Sequence, residues 1–162
     1  MTNKETLTAL KNAMRGEMDS INIYQNALAN SKDAEVISFF NIMVEEERRH
    51  YNYLLEYYKT ITNEEELKII DTKDTENMIF TDNFLMRIGS NQMLFSAISV
   101  ATLLEKNAFE FYQKSADQTD DIVLKKFFEK MVIWEKQHYD DLNKIADEAE
   151  KTYWQKNRFE PF

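Results

Sequence analysis

Apolar residues recur at three- and four-residue steps in four stretches of the chain, roughly residues 4–30, 33–59, 90–116 and 121–149. This is the period of an amphipathic helix with one face turned to a core. Asn30-Ser31-Lys32-Asp33 separates the first pair and Asp117-Gln118-Thr119-Asp120 the second. Both links are rich in residues that cap and turn helices, and links this short make antiparallel hairpins. Residues 60–89 are more polar and less periodic, long enough to cross the length of a bundle. Asn63-Glu64-Glu65-Glu66 offers a possible short helix start there, and Gly89-Ser90 leads into the third long helix. The pattern predicts an all-α four-helix bundle, two hairpins joined by a long crossover, as one domain over residues 1–150. The remaining tail, 151–162, carries Trp154, Phe159 and Phe162 among charges and is expected to pack on the bundle or on another subunit.

The two hairpins are copies of one another. A shift of 88 positions aligns Phe39-Phe40 with Phe127-Phe128, Met43-Val44 with Met131-Val132, His50-Tyr51 with His138-Tyr139, and Leu54 with Leu142, without a gap. The same shift pairs Glu17 with Glu105, Tyr24 with Tyr112, and Glu47 with Glu135.

Those repeated polar residues sit where apolar ones belong. Glu47 and His50 interrupt the stripe of Phe40, Met43, Val44, Tyr51 and Leu54. Glu135 and His138 interrupt that of Leu124, Phe128, Met131, Val132, Tyr139, Leu142 and Ile145. A spacing of three puts each Glu and His on one helix face, a turn apart. Glu17 and Glu105 break the stripes of the first and third helices. The midpoint of Glu17 and Glu47 falls in the first turn and that of Glu105 and Glu135 in the second. Each hairpin therefore sets one glutamate against another, roughly 22 Å from its turn. A pseudo-two-fold docking of the hairpins then gathers four carboxylates and two imidazoles in mid-bundle.

Composition narrows what such a cluster can be. Two glycines and a single proline leave little to interrupt the helices. With no cysteine, disulfides, thiolate sites and iron-sulfur clusters are excluded, so a metal must be held by oxygen and nitrogen. Four buried carboxylates without counter-charge would protonate or cost several kcal/mol each. Two divalent cations balance four glutamates and two neutral histidines. Oxygen-rich positions with one imidazole each suit iron or manganese, and iron where the oxidation state must change. The net charge of −9 and dispersed basic residues argue against nucleic acid. No apolar run reaches the length of a membrane helix and the amino terminus has no signal-peptide core, so the expected location is the cytoplasm.

One Glu on each of two helices and Glu-x-x-His on each of the others is the di-iron carboxylate pattern of ferritin-like bundles. Gly16-Glu17 with Tyr24, Glu47-Arg48-Arg49-His50, Leu104-Glu105-Lys106 with Phe111-Tyr112, and Glu135-Lys136-Gln137-His138 resemble the rubrerythrin branch of that superfamily. The resemblance spans about residues 10–145. It implies two iron ions, with manganese or zinc as substitutes, bridged by Glu47 and Glu135. Glu17 and Glu105 would be terminal ligands, His50 and His138 would bind one metal each, and Tyr24 and Tyr112 would orient the terminal carboxylates. It implies reduction of hydrogen peroxide or dioxygen, and a homodimer. Two features depart from the family. The additional third-helix carboxylate of peroxide-reducing members has no counterpart, its place falling at Thr102 or Ala108. The family's Cys-x-x-Cys rubredoxin domain is also missing, so the electron donor must be a separate rubredoxin-like molecule or flavoprotein. A ferroxidase or iron-handling protein, a bundle that keeps metal for stability alone, and an oxygenase of an organic substrate use the same ligands. Glu45, Glu46, Glu64, Glu65 and Glu66 read as solvated charges.

Overall fold

Short polar side chains start every long helix. Thr2 caps α1 (Asn3–Ala29) in a reciprocal capping box with Glu5, and Asp33 accepts from the Glu35 and Val36 amides at the start of α2 (Ala34–Thr62). Asn91 ends α3 (Asp82–Ser90) and also caps α4 (Gln92–Gln118). Asp121 accepts from the Val123 and Leu124 amides as α5 (Ile122–Asn157) begins. This is a computed structural model that describes residues 1–75 and 77–157. Those residues are all-helical with no strand, and none of their helices is long and apolar enough to cross a membrane.

Helices α1 and α2 form one antiparallel hairpin, α4 and α5 the other, and α1 packs beside α4. The expected ferritin-like bundle of two hairpins and a crossover is the fold observed. Three segments differ from the pattern-based expectation. Asn63 ends α2, and Glu64 adopts a left-handed φ of 57°, so no helix starts there. The crossover instead carries α3, a nine-residue helix too short for its period to stand out. The last helix runs on through Asn157, so the first half of the expected tail is helical. Phe159 and Phe162 lie outside the described residues.

The core falls into two apolar clusters with a polar layer between them. One cluster holds Ile21, Tyr24, Met43, Val44, Ile98, Ala101 and Leu142, towards the α1–α2 turn. The other holds Leu10, Ala13, Leu54, Tyr112, Met131 and Trp134, towards the α4–α5 turn. In all four long helices the glutamates and histidines sit between members of the two clusters. Apolar burial at both ends, worth about 25 cal/mol per Å², holds the layer in place.

The crossover closes one side of that layer. Its Ile70 and Lys73 amides donate to the Tyr57 and Tyr53 hydroxyls of α2, at 3.4 and 3.0 Å. Thr72, Asp74 and Thr75 bond Lys130, Trp134 and Gln137 of α5. The segment thereby straps α2 to α5.

Candidate metal centre

Each helix delivers its side chain through the same local device. Glu47 and His50 lie one turn apart on α2, as do Glu135 and His138 on α5, because a helix repeats its face every three to four residues. Folding each hairpin about its turn brings Glu17 to His50 and Glu105 to His138. All six are buried, Glu47, Glu105 and Glu135 completely. Glu47, His50, Glu135 and His138 each offer one ligand atom, all within 4.8 Å of one another.

The geometry divides into two matching positions. His50 Nδ1 lies 2.8 Å from Glu135 Oε1, 3.5 Å from Glu47 Oε2 and 3.7 Å from Glu17 Oε2. His138 Nδ1 lies 2.9 Å from Glu47 Oε1, 3.5 Å from Glu135 Oε2 and 3.9 Å from Glu105 Oε2. Glu47 and Glu135 thus face both imidazoles, whereas Glu17 faces only His50 and Glu105 only His138. The tyrosines cross between the halves. The Tyr24 hydroxyl donates to Glu105 Oε1 at 2.5 Å, and the Tyr112 hydroxyl donates to Glu17 Oε1. Seven residues separate each tyrosine from a glutamate of its own helix, but the carboxylate it orients belongs to the other hairpin.

The donor atoms fit a metal rather than a hydrogen-bond network. Both oxygens of Glu47 and of Glu135, Glu105 Oε2, and Nδ1 of His50 and of His138 are buried without a hydrogen-bond partner. Buried polar atoms are seldom left so, and leaving one unmet costs about 1–3 kcal/mol. Here they converge on one small volume, and their close approaches lack hydrogen-bond geometry.

Electrostatics tell the same story. Burial, and then the neighbouring carboxylates, push Glu17 and Glu105 well above the usual carboxylate range. Burial acts on Glu47 and Glu135 in the same direction, but the charges of His138 and His50 overcome it and hold both low. Burial lowers the two histidines, and the facing carboxylates more than reverse that, leaving both well above the ordinary imidazole value. Without a cation these shifts favour protons on Glu17, Glu105, His50 and His138. Two divalent cations in their place leave the same net charge. Burial, and then Glu105 and Glu17, also raise Tyr24 and Tyr112, which stay protonated donors.

Two further residues belong to the site and escaped the sequence reading. Glu46, expected on the solvated face, is 1 % exposed, with Oε2 2.6 Å from His138 Nε2. Trp134 is buried and stacks on His50 with ring centroids 5.1 Å apart and planes within 4°. The repeat carried the signal, since the 88-residue shift pairs Glu46 with a tryptophan and so marks its position as an inward one.

On the α1–α4 side, opposite the crossover, a cavity of about 210 Å³ reaches Glu17, lined by Ala13, Gly16, Ser20, Ala108 and Tyr112. A Cβ added at Gly16 would meet no atom within 4 Å.

A family model described as Rubrerythrin matches residues 8–146, a span that includes all four long-helix segments carrying the cluster. No curated protein and no solved structure matches the chain.

Proposed function

This chain belongs to the rubrerythrin family, and on that premise we propose that it is a di-iron oxidoreductase that reduces hydrogen peroxide or dioxygen with electrons from a separate donor. The observation that carries the reading is the convergence of unpartnered, buried carboxylate and imidazole atoms from four helices. One position would be held by Glu17 and His50, the other by Glu105 and His138, with Glu47 and Glu135 shared. Two iron ions, when bound, supply the two electrons that with two protons convert hydrogen peroxide to two waters, each iron passing from ferrous to ferric.

The protein's own groups set the conditions for that exchange. The Tyr112 and Tyr24 hydroxyls hold Oε1 of Glu17 and Glu105, which leaves Oε2 of each turned to the cluster. The apolar clusters above and below keep bulk water out and strengthen every charge interaction within the layer. The crossover covers the α2–α5 side, so a small oxidant reaches the centre through the α1–α4 cavity beside Gly16. The electron donor is a rubredoxin-like protein or a flavoprotein, since this chain has no cysteine to bind a redox cluster.

Anaerobic loading with ferrous iron followed by rapid mixing with peroxide, and separately with oxygen, tests the reading. About two irons per chain, oxidised fast by one of these oxidants and lost in Glu47→Ala, is the expected result. Retention of ferric iron far above two per chain would show iron itself to be the substrate. A redox-inert site holding zinc would show a structural metal. Gly16→Leu, which fills the cavity mouth, should slow oxidation by at least tenfold at unchanged iron content.

A further inference from the structure

The internal repeat makes the two metal positions alike in every member but one. Glu17 matches Glu105, Glu47 matches Glu135, His50 matches His138, and the two tyrosines exchange partners symmetrically. Glu46, however, matches Trp134. On the His138 side, Glu46 Oε2 lies 2.6 Å from Nε2, and Arg49 Nη2, 3.3 Å from Oε1, orients the carboxylate from behind. On the His50 side the corresponding contact is the face of an indole, whose only polar group, Nε1–H, donates to Asp74 at 3.2 Å. Among the described residues, the carboxylates that reach His50 are Glu17, Glu47 and Glu135, all at Nδ1.

A carboxylate accepts but does not donate, so Glu46 holds the proton of His138 on Nε2 and leaves the Nδ1 lone pair facing the cluster. The same contact makes that nitrogen more basic and fixes the plane of the ring. Stacking on Trp134 fixes the ring of His50 but offers no acceptor for its proton. We propose that Glu46 is a positioning residue that makes the two metal positions inequivalent, so that the Glu105/His138 position binds a divalent cation more tightly than the Glu17/His50 position. The inference rests on the two-metal reading of the site and adds an order of filling to it.

Cobalt(II) titration of the metal-free protein, followed by visible absorption and calorimetry, tests this without turnover. The wild-type chain should take up two cobalt ions in two resolved steps. Glu46→Gln should weaken the tighter step by about 10- to 100-fold, the usual effect of losing an outer partner of a ligating histidine, and leave the weaker step unchanged. The loss should persist in a His50→Ala background and vanish in a His138→Ala background. In the wild-type chain carrying one equivalent of cobalt, the hyperfine-shifted imidazole proton resonances should be those removed by His138→Ala, a readout that depends on no Glu46 variant folding. Equal weakening of both steps by Glu46→Gln, or a first equivalent placed at His50 or shared evenly, overturns the proposal. Two cobalt ions bound with no effect of Glu46→Gln overturns it alone, whereas no cobalt bound by the wild-type chain overturns the two-metal reading as well.

Discussion

At the scale of single residues, the cluster is a place where protons and a metal would compete for the same atoms. In the metal-free chain Glu17 and Glu105 are raised by burial and by neighbouring carboxylates, and His50 and His138 by the carboxylates that face them. All four groups are thus biased towards holding a proton, and a bound metal must displace whatever protons they carry. Loading near pH 7 in weak buffer should release protons, up to four per chain, readable with an indicator dye. The sign follows from the raised values: lowering the pH adds to the proton occupancy that metal must displace, so affinity falls towards acid. Metal binding with no proton release would mean that the four groups are already deprotonated.

At the scale of elements, two glycines play opposite roles. Gly16 borders open space on α1, and its missing side chain leaves the cavity mouth clear. Gly89, near the end of α3, is there because α5 comes too close for anything larger. A Cβ would stand 2.5 Å from the Ala149 carbonyl oxygen and 3.1 Å from Tyr153 Cβ. The first of these neighbours is backbone and cannot rotate away. Gly89→Ala should therefore destabilise the protein by about 1–3 kcal/mol, as overpacking does, although alanine is the better helix former. A denaturation midpoint at or above that of the parent would show that α3 shifts freely on α5. The helix that the hydrophobic period did not reveal is thus one whose place depends on a close tertiary fit.

At the scale of the whole molecule, the polar layer divides the core in two, and each half must be held to the other across unmet charge. Metal, once bound, would tie them together by binding the folded state alone. At a free metal concentration one hundred times the dissociation constant, each site adds about 2.7 kcal/mol, and each kcal/mol moves the melting point of a chain this size by roughly 2–4 °C. Removing metal with a chelator should lower the melting temperature by at least about 5 °C, and ferrous, manganous or zinc ions should restore it. An unchanged melting curve would mean that protons on the cluster hold the halves together as well as metal does.

Much of this architecture was written locally. Helical period, the cap at Asp33, and hairpins folding Glu17 onto Glu47 and Glu105 onto Glu135 follow from spacing along the chain, since rise per residue and turn position set the height of each side chain. The internal repeat added the pseudo-two-fold, and with it the meeting of the six polar residues. What spacing does not state is which hairpin a side chain reaches. Tyr24 and Tyr112 serve the glutamates of the opposite half, and Glu46 leaves its own helix to hold His138, because α2 and α5 face each other across the layer. The draping of residues 70–75 over that gap, the α3 contact with α5 and the opening beside Gly16 arise from distances between elements remote in sequence. A residue's period tells which way it points, and only the packed bundle decides what it meets there.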